Sequence, residues 1–96
     1  MILERKDIEY ITEALVKSSN ILKVIYNSRT YTLYVFFHKG KVYSYGPVDN
    51  KLFQEFLSSP SKGGFINNRL KKNKDIIVKF EFTITPTELD NLKKLL

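Results

Sequence analysis

Ninety-six residues, 43% hydrophobic and 14% aromatic, suffice for one compact core and are too few for two. Sixteen Lys and Arg against ten Asp and Glu leave a formal charge of +6, which favours acidic partners, nucleic acid first among them. The lack of cysteine excludes a disulfide scaffold and a thiolate zinc site, and with His38 as the single imidazole no metal or other cofactor is expected.

Ile8, Ile11 and Leu15 stand at i, i+3 and i+7 among Glu4, Glu9 and Glu13, a spacing that predicts an amphipathic helix over residues 4–17. No apolar run there reaches the roughly 7–15 residues of a signal-peptide core. Ser18, Ser19 and Asn20 compete for backbone hydrogen bonds and end that pattern, and residues 21–26 read as a strand from their β-branched and aromatic content. Asn27, Ser28 and Arg29 supply a turn. Residues 31–37 then set Tyr31, Leu33, Val35 and Phe37 against Thr32, Tyr34 and Phe36, a central strand expected to be partly covered on both faces. This is the longest apolar stretch and falls far short of the ~20 residues of a membrane helix, so a soluble, cytoplasmic protein with no membrane partner is expected.

Gly40 suits the positive φ of a tight hairpin leading into a third strand at 41–45, which completes an antiparallel meander. Asp49 caps a helix with the apolar stripe Leu52, Phe53, Phe56 and Leu57, and Val48 with Phe53 has the spacing of a hydrophobic staple. Residues 58–64 form a loop broken by Pro60, and 65–72 a short basic helix with Ile66 and Leu70 inward. Residues 75–85 place Val78, Phe80, Phe82 and Ile84 opposite Lys79, Glu81 and Thr83, a half-buried strand expected to join the same sheet. Thr85, Pro86 and Glu88 open a last helix as a capping box, with Leu89, Leu92, Leu95 and Leu96 as its buried stripe. The expected fold is α+β: one domain over residues 1–96, its antiparallel β-sheet built from the meander plus the later strand and packed with short α-helices.

Across residues 17–72 the series Ser18-Ser19-Asn20, Thr32-Leu33, Phe37 with Gly40, Tyr43-Ser44-Tyr45, Val48, and Ser61-Lys62-Gly63 before Phe65 and Asn67 resembles the KTSC-domain family. These are small bacterial and phage domains named for the lysyl-tRNA synthetase C-terminus. The ordered combination is far more specific than Tyr-x-Tyr alone. The resemblance implies a small sheet with packed helices and a role in RNA binding. The chain departs from the pattern at Gly64 and Ile66, where members often carry a longer side chain and then an aromatic. It also adds the N-terminal segment and the strand and helix after Asp75, an added partner surface.

Tyr43 and Tyr45 fall on one side of a strand and read two ways, with Tyr34 on the neighbouring strand extending either: a stacking platform for bases, or rings packed beneath a helix, the commoner fate of strand tyrosines. Ser61, Lys62, Gly63 and Gly64 read either as backbone N–H groups and an ammonium aimed at a phosphate or as a plain chain reversal; the Walker pattern is absent. Asn67 faces a ligand or the loop. Arg69 and Lys72 lie one turn apart beside it, in a stretch of residues 61–79 that holds six cations against the single carboxylate of Asp75. Lys71, Lys72 and Lys74 also fit a solvated helix end. His38 reads as a surface residue, and no nucleophile elbow or paired-carboxylate motif suggests an enzyme.

The expected function is a non-enzymatic binding module for RNA or another polyanion, with Ser61, Lys62, Gly63, Asn67, Arg69 and Lys72 toward phosphate and Tyr43 and Tyr45 offering stacking. The alternative is an oligomeric protein, phage-encoded, that binds a protein partner or sequesters a nucleotide as a homo-oligomer.

Overall fold

β-Branched and aromatic residues at alternating positions dominate the chain, and the computed structural model, which describes residues 2–95, turns that alternation into one antiparallel sheet. Its strands are β1 (Ile2–Ile8), β2 (Ile11–Val16), β3 (Ile21–Asn27), β4 (Thr32–Phe37), β5 (Lys41–Gly46) and β6 (Ile77–Thr83), each hydrogen-bonded to its neighbour in sequence. Between β5 and β6 lie α1 (Asn50–Ser58) and the single turn α2 (Lys62–Phe65), which runs directly into a π-helical turn (Ile66–Lys71); α3 (Pro86–Lys94) follows β6. The architecture is α+β, and the strand after residue 75 joins the sheet as expected. Among the described residues no helix is long and apolar enough to cross a membrane.

Directly opposed residues of an antiparallel pair share a face, so the register identifies the two sides of the sheet. One row runs Ala14, Val24, Val35, Tyr43 and Phe80, and another Tyr26, Leu33, Tyr45 and Val78. The β2, β3, β4 and β5 part of this face is buried under Phe53 and Phe56 of α1 and Phe65, Ile66 and Leu70 of α2 and the π turn. Tyr26 stacks on Phe53 with centroids 4.1 Å apart, and its hydroxyl donates to the Val48 carbonyl at 2.7 Å. Asp49 caps α1 by accepting from the Leu52 amide at 2.8 Å, while Val48 and Phe53 are both buried. Gly40 has φ of +93° between β4 and β5, where its amide donates to the Phe37 carbonyl at 2.9 Å.

Four expectations are corrected. Residues 4–17 form the β1–β2 hairpin rather than a helix: Ala14 and Val16 are fully buried by pairing β2 with β3, a gain that a free-standing helix cannot supply. Tyr34 is opposite Ser44 and so lies on the other face from Tyr43 and Tyr45. The alternation of β6 is interrupted, because Tyr43 pairs with Phe80 and Val42 with Phe82; the extra residue, Glu81, makes a bulge that turns Phe82 away from Phe80. Most of β6 is therefore exposed rather than half-buried. Finally, α3 buries no residue completely: Leu89 and Leu92 are half-buried and Leu95 is exposed, because the helix rests loosely over Lys23, Phe36 and Leu15 on the second face. Leu96 lies outside the described residues. The N-cap half of the capping box is made, with Thr85 Oγ1 accepting from the Glu88 amide at 3.2 Å, while the Glu88 carboxylate accepts from the Thr85 hydroxyl at 3.0 Å rather than from its backbone N–H.

Candidate functional site

The helical cover stops short of the sheet's β6 side, and the step between the two leaves a cleft of about 430 Å³, within the usual size range of small-ligand sites. Its sheet wall carries Phe37 from β4, Tyr43 and Tyr45 from β5 and Val78 from β6. The opposite wall is Gly63 with Ile66, Asn67 and Lys71, the last three carried by the π-helical turn. Ser19 and Asn20 close one end, and His38, Lys39 and Lys41 stand at the mouth.

The 18–20 loop is held in place by His38. Its Nε2–H donates to the Ser18 carbonyl at 2.8 Å and its amide to the Asn20 carbonyl at 2.8 Å, so the imidazole is a half-buried brace rather than a surface group. Because a carbonyl only accepts, this bond also fixes the proton on Nε2. Asn20 reaches across to Gly63 so closely that a Cβ there would sit 3.0 Å from its amide nitrogen and push that side chain aside. The exposed amides of Asn20 and Asn67 both border the opening and offer paired donors and acceptors.

Three aromatic rings continue one another along the sheet wall. Phe37 meets Tyr43 edge-on with centroids 5.8 Å apart, and Tyr43 meets Phe80 edge-on at 5.4 Å. Tyr43 is half-buried; Tyr45 is only 4% exposed and forms the floor. Burial, followed by the charge Tyr43 would carry, pushes the Tyr45 phenol up to about 12. Around the rim Lys39, Lys41 and Lys71 are exposed, and among the described residues no carboxylate forms an ion pair with them.

The eight expected ligand residues divide in two. Tyr43, Tyr45, Gly63 and Asn67 line the cleft. Ser61 and Lys62 do not: Ser61 Oγ accepts from the Gly64 amide at 3.1 Å and caps the short turn. Lys62 is turned inward, 4% exposed, donating to the Leu57 carbonyl at 3.0 Å and to the Ser59 carbonyl, with Phe56 beneath its ammonium. Burial lowers its pKa. Lys62 therefore satisfies carbonyls at and just after the end of α1 instead of presenting a cation to phosphate. Arg69 pairs with Glu55 at 2.9 Å and lies over the Phe65 ring, and exposed Lys72 is not among the lining residues. The rim cations Lys39, Lys41 and Lys71 were not among the expected ligand residues; the exposed turn after β4 was the available sign of the first two.

A six-stranded antiparallel meander with α1 and α2 packed on one face, α3 resting on the other and an open cleft at its edge defines a small α+β domain. A family model described as the KTSC domain matches residues 17–73, and the chain belongs to that family. Among solved structures it is similar to the crystal structure of the KTSC domain protein YPO2434 from Yersinia pestis. The two are 26% identical with a TM-score of 0.64, over 82% of this chain and 97% of that one. An alignment of that extent runs beyond residues 17–73, so part of the flanking structure is shared with that relative. No curated protein matches the chain.

Proposed function

We propose that this KTSC-family protein is a cytoplasmic, non-enzymatic module that binds RNA, or another phosphate-bearing ligand with an unpaired base, in the cleft beside β5. The observation that carries the reading is the meeting of an aromatic wall, Phe37 and Tyr43, with three unpaired rim cations, Lys39, Lys41 and Lys71. Splayed bases stack on such rings, while ammonium groups attract the backbone without reading sequence. The amides of Asn20 and Asn67 would contact a base edge. A non-catalytic role is supported by the lining itself: it contains no carboxylate, and its imidazole is committed to Ser18.

Fluorescence anisotropy of labelled single-stranded and duplex RNA across a salt series tests the reading. The single strand is expected to bind more tightly, and binding to weaken steeply as salt rises. Tyr43→Ala is expected to weaken binding about 5- to 150-fold, the equivalent of one lost stacking contact, and Lys39→Ala with Lys41→Ala and Lys71→Ala to weaken it further. Salt-insensitive binding, or none at low salt, would remove the proposal.

Self-association is a second reading, favoured by the exposed apolar side chains of β6, with Ile77 at 74% exposure. Light scattering checks it, and a strict monomer at high concentration counts against it.

A further inference from the structure

Phe80 stands outside the cleft lining yet belongs to its aromatic wall. Its ring is edge-on to Tyr43 on the same sheet face and remains 50% exposed. An aromatic left open on an edge strand serves either strand addition or contact through the ring itself. Strand addition is opposed by the local structure: the bulge at Glu81 breaks the ladder at the middle of β6, and Lys79 and Glu81 place charges beside it, Glu81 accepting from Ser44 Oγ at 2.6 Å. Bulges and charges of this kind blunt an edge against pairing. The same bulge sends Phe82 to the opposite face, where it meets Phe36, so Phe80 and Val78 remain as the apolar surface continuing the cleft. Lys41, on Tyr43's face of β5 and opposite Thr83, gives that surface a cationic flank.

Building on the binding proposed above, we infer that Phe80 is a second base-stacking subsite and that the ligand unit recognised is a dinucleotide: one base enters the cleft against Tyr43, and the next lies on Phe80. The two rings belong to adjacent strands with centroids 5.4 Å apart, a separation that one sugar–phosphate link spans. Lys39, Lys41 and Lys71 around the cleft supply the cations that the dinucleotide's phosphates would meet.

Calorimetric titration with 5′-AMP and with the 5′-phosphorylated dinucleotide pApA tests this, alongside a labelled decamer of adenylate. The dinucleotide carries an added charge, so the informative quantity is the pApA-to-AMP affinity ratio. That ratio is expected to be about 5- to 150-fold larger in the wild type than in Phe80→Ala, the factor equivalent to one stacked base. Phe80→Trp should restore the ratio. Thermal melting verifies that the variants are folded, which the exposure of Phe80 favours.

An equal ratio in wild type and Phe80→Ala, with salt-dependent decamer binding intact, overturns the subsite and leaves the cleft reading standing. Failure of the wild type to bind the decamer at low salt removes both. A dimer that Phe80→Ala dissociates, with no change in the ratio, assigns Phe80 to a contact between copies and likewise overturns the subsite.

Discussion

Tyr45 and Lys62 show how position decides what a side chain does. A tyrosine in the unfolded chain ionises near pH 10, whereas Tyr45 keeps its proton to about 12, burial being the main cause. Between those values the native state holds more protons than the unfolded state, so stability present below pH 10 is lost as pH rises toward 12. The loss attributable to this group approaches ~1.4 kcal/mol per pH unit at most. Urea denaturation from pH 9 upward should therefore show a steeper alkaline decline for the wild type than for Tyr45→Phe, and parallel curves would contradict the assignment. Lys62 is placed the other way round, with its ammonium spent on carbonyls at the end of α1 and just after it. Lys62→Ala is expected to cost roughly 1.5–3 kcal/mol of stability, the range for hydrogen bonds to a charged group, while leaving the salt slope of RNA binding unchanged. Chemical denaturation and anisotropy on the same preparation check both halves of that expectation.

Among the elements, the helices differ in how firmly they are held. α1 presents Phe53 and Phe56 to the core and is capped by Asp49, so Asp49→Ala should cost about 1 kcal/mol by urea denaturation. α3 is also capped, by Thr85, but buries none of its leucines completely. A cap orders the first turn and does not dock the helix, so native-state hydrogen exchange should find α3 opening at much lower free energy than α1. Equal protection of the two helices would refute this. The β1–β2 hairpin was illegible for a related reason. Its two-residue turn is Glu9-Tyr10, with Glu9 at φ of 54° and no Gly or Asn to announce a reversal. The turn is supported from outside itself: Ser28 donates to the Tyr10 carbonyl at 2.9 Å from its amide and 3.1 Å from its hydroxyl, and the Arg29 guanidinium lies over the Tyr10 ring.

At the scale of the whole molecule, the +6 charge predicts attraction to polyanions but not where they dock. The fold gathers Lys39 and Lys41 from the β4–β5 end and Lys71 from the π turn around one opening, while it diverts Lys62 and Arg69 into internal contacts. Each rim lysine that neutralises a phosphate adds to the salt dependence, so each Lys→Ala change at 39, 41 or 71 should lower the log–log slope for a single strand by about 0.7. Anisotropy titrations at several salt concentrations measure it, and Lys72→Ala serves as the comparison expected to change it least. By itself the sequence determined the β3–β5 meander, the capped helices α1 and α3, the core stripe of α1 and four residues of the cleft, because hydrophobic period, turn glycine and N-cap chemistry act over a few neighbouring positions. Tertiary structure alone decided the rest: that residues 4–16 are strand, that Tyr45 is floor while Tyr43 is wall, that Lys62 points inward, and that Phe80 meets Tyr43. Those outcomes depend on pairing and burial between segments far apart in the chain, where the energy gained on contact overrides local propensity.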